Sequence, residues 1–165
     1  MFELLITAIL GALTFAAKGA MAALPNIEPV TLLFILTALC FGARSLITCG
    51  IYVLLEGLVY GFSTWWIPYL YIWPLLIALT LLCKRFENRF FWAVFAAVFG
   101  FVFGFLFLPV NYFVYNMAGN PELLKIYILN DIPFDALHAA GNFVTVLVLL
   151  PPLKRALRYA LSRIH

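Results

Sequence analysis

Residues 131–152 read DIPFDALHAAGNFVTVLVLLPP, a stretch apolar enough to cross a bilayer that still carries Asp131, Asp135, His138 and Asn142. At about 100° per residue, spacings of four, three and four bring these four groups within roughly 60° on one helix face. Ionisable groups are costly in hydrocarbon, so such a face turns toward a cavity or a bundle interior. The rest of the chain must supply that interior.

Composition makes the same demand everywhere. The chain has 165 residues, 66% of them hydrophobic and only 10% charged, with a mean hydropathy of +1.09. A soluble domain is nearer half apolar and a quarter charged. The expected fold is therefore an all-α integral membrane protein, one six-helix bundle over residues 1–165. The net charge of +3 is no nucleic-acid signal, because the basic residues sit in short loops. The first segment has no basic n-region and no A-x-A site, so it reads as a retained helix. Cys40, Cys49 and Cys83 have no metal-ligand spacing and read as reduced, packed thiols.

Expected spans lie near 2–24, 29–41, 45–62, 66–83, 90–112 and 132–153, the second being short. Pro25 and Pro29 interrupt the first hairpin, Gly42 and Arg44 the second, and residues 84–89 form a polar turn. Residues 116–130 read as a longer loop with a short amphipathic turn near 122–129. Arg44, Lys84, Arg85, Arg89, Lys154, Arg155, Arg158 and Arg163 are eight of the ten basic residues. Six spans with both termini cytoplasmic place all eight inside. Glu28, Glu56, Glu122, Asp131 and Asp135 then fall outside or in outer half-spans.

The polar and aromatic groups collect at that outer end: Lys18, Asn26, Glu28, the Tyr52/Glu56/Tyr60 stripe, Trp65, Trp66, Tyr69, Trp73, Asn111 and the Asp135/His138/Asn142 face. Inner half-spans are almost entirely apolar. This asymmetry predicts a pocket open to one side, not a channel, which needs polar groups at every depth. Plainer roles compete. Trp65, Trp66 and Tyr69 suit an interfacial belt. Lys18 and Glu56 suit simple mutual pairing. His138 suits a helix–helix hydrogen bond. Ala8, Ala12, Ala16 and Ala20 form a small-residue stripe that permits close helix approach, roughly 160° from Lys18. No H-E-x-x-H, G-x-S-x-G, P-loop or Cys/His metal pattern is present.

Three segments carry a family likeness: AILGALTFAAKGA (8–20), ALPNIEPVTLL (23–33) and IPFDALHAAGNFVTVLVLLPPLKRAL (132–157). The first is similar to an A-x-x-x-A docking motif, the second to a pocket-capping outer loop, the third to a last helix with D-x-x-H and G-N. Together they make the chain resemble the substrate-binding S components of energy-coupling factor (ECF) vitamin transporters. The resemblance implies a multi-pass subunit of the bacterial cell membrane that binds a vitamin or related precursor from outside. It implies a membrane coupling subunit and two ATPase subunits as partners, no enzymatic activity of its own, and no cofactor or metal. On that basis Ala8, Ala12 and Ala16 would form the coupling face, and Asn26 and Glu28 a gating loop. Glu56, Tyr60, Trp66, Tyr69, Asn111, Asp135, His138 and Asn142 would line the site, with Lys18 available to a carboxylate. The rival expectations are a non-transporting membrane scaffold of the cell-shape type, and a small intramembrane enzyme using Asp135 and His138 as acid and base.

Overall fold

The computed structural model describes residues 2–23 and 27–163, and among these every regular element is helical. The helices are α1 (Phe2–Ala20), α2 (Val30–Phe41), α3 (Ser45–Tyr60), α4 (Tyr69–Leu82), α5 (Arg89–Phe101), α6 (Phe103–Val114) and α7 (Pro121–Ser162). Four helical runs are long and apolar enough to cross a membrane: Glu3–Ala20, Val30–Tyr60, Arg89–Val114 and Pro121–Ser162. Tyr69–Leu82 is a shorter apolar helix. The expectation of six membrane-length spans is thus corrected to four long runs and one short helix. The physical reason lies in α2, whose 12 residues reach only about 18 Å against a hydrocarbon core of about 30 Å, so that it attains membrane length only when counted with α3, to which the turn at Gly42–Arg44 joins it.

Side-chain bonds give the helix directions. Thr48 Oγ1 donates to the Thr7 carbonyl at 2.9 Å, Lys18 Nζ meets Glu56 Oε2 at 2.8 Å, and Arg44 pairs with Glu3. Early α1 therefore meets early α3, and late α1 meets late α3, so the two run parallel. The intervening α2 must run back between them. Gly42 allows this reversal: its φ of +62° and ψ of −136° suit glycine alone. Nine of the 12 residues of α2 are buried, as expected for a helix apolar on every side. It is the centre of the bundle.

The other helices pack antiparallel to their neighbours. Tyr71 Oη donates to the Leu106 carbonyl at 2.6 Å, and Trp73 stacks near Phe99 and Phe103, joining α4 to α5 and α6. Phe90 meets Phe143 while Asn111 Nδ2 donates to Tyr127 Oη at 2.6 Å, so α7 runs back along α5 and α6. Lys18, Glu56 and Tyr69 consequently share one end, here the polar end. Arg44, Lys84, Arg89 and Lys154 share the other, the basic end. Large apolar side chains such as Ile9, Leu58, Phe105 and Val148 remain exposed around the perimeter, which fits a lipid surrounding better than water.

The long loop expected at 116–130 is also corrected. Helix α7 starts at Pro121 and runs for 42 residues. The Asn120 side chain accepts from the Leu123 N–H at 3.0 Å, proline sits at the first helical position and Glu122 in the first turn. At about 63 Å this helix exceeds a bilayer and projects beyond the bundle.

Close approach of α1 to α3 depends on Gly11. A Cβ there would lie 2.7 Å from the Thr48 carbonyl oxygen and 2.8 Å from Ile51 Cβ, whereas one at Gly19 would meet nothing within 4 Å. Gly11→Val is expected to lower stability by about 1–3 kcal/mol. Gly19→Ala should leave the thermal midpoint in detergent unchanged or slightly raised, and intrinsic fluorescence melts measure both.

Candidate functional site

Glu56 organises the polar end. It sits on α3 four residues after Tyr52, so both project from one helix face. Its side chain is 1% exposed, and Lys18 from α1 reaches it at 2.8 Å. The same ammonium lies 3.4 Å from Tyr69 Oη and 5.2 Å above the Tyr69 ring, and 6.0 Å from the Tyr52 ring centre. Tyr52 and Tyr69 stack with centroids 6.2 Å apart, and Trp73 stands edge-on to both. A cation is thus held by one carboxylate and two aromatic faces, arrangements that favour positive charge.

Glu28 belongs to this cluster. It lies in the segment between α1 and α2 and is half-buried. Loss of hydration pushes its carboxyl above the usual range of 4.5; the Lys18 ammonium opposes this and the Glu56 carboxylate adds to it. Asn26 lies outside the described residues.

The second wall comes from α7. His138 is 4% exposed and its ring stands edge-on to Phe103 with centroids 4.9 Å apart. Phe103 in turn touches Trp73 at 5.4 Å, so a run of aromatic rings links His138 to Tyr52 and Tyr69. Asn142 is 1% exposed and its amide donates to Thr31 Oγ1 at 3.3 Å and to the Ala96 carbonyl at 3.4 Å. Gly100 makes room for it: a Cβ there would lie 2.7 Å from Asn142 Nδ2.

Five buried side-chain polar atoms make no well-formed hydrogen bond among the described residues: Tyr52 Oη, Glu56 Oε1, Trp73 Nε1, His138 Nε2 and Asn142 Oδ1, with Tyr52 and Glu56 close enough to interact with each other. Each such atom costs about 1–3 kcal/mol when left dry. Native interiors leave few such atoms, and three of these belong to the linked rings of Tyr52, Trp73 and His138. Offered together are a phenol, an indole N–H, a carboxylate oxygen, an imidazole nitrogen and an amide carbonyl. That set can grip a flat, polar-edged ring.

Other residues expected at the site go elsewhere. Tyr60 is 56% exposed and packs on Phe15 outside the bundle. Trp66 spends its indole N–H on the Val53 carbonyl at 2.7 Å and packs edge-on against Phe62. Asn111 ties α6 to α7 through Tyr127. Asp135 accepts from the Gly104 N–H at 3.0 Å and, with Asp131, borders a cavity of about 300 Å³ between α5, α6 and α7. Ala12 and Ala16 are exposed and Ala8 half-buried, on the side of α1 opposite Thr7, Thr14 and Lys18. Tyr52 and Trp73 enter the cluster although neither stood among the expected lining residues. Their signal was helical spacing, since each lies four residues from an expected residue on the same helix, Glu56 and Tyr69.

Two outcomes follow. Lys18→Met should strand a buried carboxylate and destabilise by about 3–5 kcal/mol, and adding Glu56→Gln should recover much of it. A double-mutant cycle of thermal midpoints measures this. For Glu28, a raised folded value means that the native state holds its proton more tightly than the unfolded chain. Its ionised form therefore costs stability, and wild type should lose stability relative to Glu28→Gln as pH rises from about 4.5. Parallel melts of the two proteins across pH check the sign.

Set against known proteins, the chain matches no family model, no curated protein and no solved structure.

Proposed function

We propose that the protein is a membrane-embedded binding subunit that captures a small, vitamin-like ring compound in the Glu56/Tyr52/Trp73/His138/Asn142 interior. In this reading it serves as the S component of an ECF-type importer, delivering the compound with a membrane coupling subunit and two ATPases. The observation that supports the proposal is the set of buried polar atoms without a well-formed hydrogen bond on and beside the linked rings of Tyr52, Trp73 and His138. In this reading the basic end faces the cytoplasm, in keeping with the positive-inside rule. The polar end faces outward and receives the ligand from outside the cell.

The chemistry of the cluster favours a particular ligand. Lys18 is already neutralised by Glu56, and Glu28 adds a second carboxyl. A donor-rich or cationic heterocycle suits this set better than a dianion. Tyr52 and Trp73 are fully buried in this conformation, so the cluster is closed to solvent. The exposed Ala12 and Ala16, flanked by Leu13 and Ile9, offer a smooth face for a partner helix.

The rival readings explain less. A scaffold has no use for orphaned polar atoms inside its bundle. An acid–base enzyme using Asp135 and His138 has its acid tied to the Gly104 N–H, while His138 faces Phe103.

Tyr52→Phe separates ligand binding from folding. It removes a hydroxyl that makes no well-formed hydrogen bond but lies beside the Glu56 carboxylate, so stability should change by no more than about 1 kcal/mol. Affinity for the ligand should fall by about 1–3 kcal/mol, or roughly 5–150-fold in Kd. His138→Ala should lose affinity similarly, while Tyr60→Phe and Asn111→Ala should not. A thermal-shift screen against a vitamin panel, followed by titration of the variants, measures all four. Ala12→Trp should spare binding yet block assembly with the coupling subunit and whole-cell uptake; unchanged uptake in both Ala12→Trp and His138→Ala contradicts the proposal.

A further inference from the structure

We propose that the basic end carries a built site for the headgroup of an anionic phospholipid, in the cleft where the start of α5 meets the last third of α7. The cleft has a volume of about 510 Å³. Arg89, Lys154, Arg155 and Arg158 border it against a single carboxylate, Glu87. None of these cations is in an ion pair among the described residues, where the ion pairs are Lys18–Glu56 and Arg44–Glu3, and Arg158 has the Cys40 thiol beside it. Helical spacing explains the convergence on α7. Lys154 and Arg158 are four residues apart and Arg155 and Arg158 three, so all three fall on one side of the helix.

The floor argues for a lipid and not a free anion. Beneath the cations lie Leu150, Pro151 and Trp92. Trp92 is 1% exposed and its indole N–H is locked to the Phe86 carbonyl at 2.9 Å, so the floor is rigid. A phosphodiester would sit among the guanidinium groups, which match phosphate oxygens in pairs. Its acyl chains would continue over the apolar floor along the exposed Val144 and Val148 side of α7. Basic pockets between membrane helices bind anionic headgroups in this manner. The inference rests on the membrane placement of the bundle and is independent of what the polar end binds.

The test uses the full chain in mild detergent micelles doped with phosphatidylglycerol, cardiolipin or phosphatidylcholine. Native mass spectrometry reads retained lipid, and thermal midpoints confirm folding. The Lys154→Gln/Arg155→Gln/Arg158→Gln variant changes mostly exposed side chains and should fold; Arg155→Gln alone is a milder second form. A control variant, Lys84→Gln/Arg85→Gln/Arg163→Gln, removes the same charge from the same end outside the cleft. The expected result is retention of phosphatidylglycerol and cardiolipin but not phosphatidylcholine, weakened at least about tenfold by the cleft variant and untouched by the control. Equal loss in both variants would show a diffuse charge effect and overturn the site. Equal retention of phosphatidylcholine would also overturn it. Equal stabilisation by millimolar inorganic phosphate would overturn the lipid assignment in favour of a simple anion site.

Discussion

Glu56 is a carboxylate with 1% exposure inside a bundle that is two-thirds hydrophobic. Such a group is stable only when an opposite charge meets it. Lys18 does so from another helix, which forces late α1 against late α3. With α1 and α3 parallel, the chain between them has to return through the interior. Only an uninterrupted apolar segment can occupy that position, and α2 is one: nine buried residues of 12, no charge, and a glycine reversal at its end. The layout of the first half of the molecule follows from one buried ion pair.

Much of this was legible in advance. Helical class, the polar end and the inward face of His138 and Asn142 could be read from composition and 3.6-residue spacing. The limits of α2 and α7 could not be read as easily. Hydropathy sees residues 29–41 as a span because it measures polarity and not length across the layer. The Asn120–Pro121–Glu122 start signal of α7 was present, but Asn-Pro also reads as a loop, and the helix extends through it into polar sequence. Trp66 and Tyr60 stand apart from the Glu56 cluster for another reason. An aromatic residue near a membrane boundary can face inward or outward at equal hydropathy, and only the Val53 carbonyl and the Phe15 ring decide it here.

The two ends divide the work. At one, polar atoms are buried and unsatisfied around aromatic rings. At the other, mostly exposed cations border an apolar floor and make no ion pair among the described residues. The buried side chains between them are mostly apolar. The free alanine face of α1 lies apart from both, so a partner could bind there without touching either. Glu28 adds a second carboxyl whose charge reaches the Lys18–Glu56 pair.

The most direct measurement is native mass spectrometry of the protein purified in mild detergent, wild type beside Tyr52→Phe, scanning for a co-purified small molecule. A single vitamin-sized mass on wild type, diminished on Tyr52→Phe while the fold is retained, is what a ligand site at the orphaned polar atoms predicts. A wild-type protein that is empty, and that no member of a vitamin panel stabilises, would contradict the account.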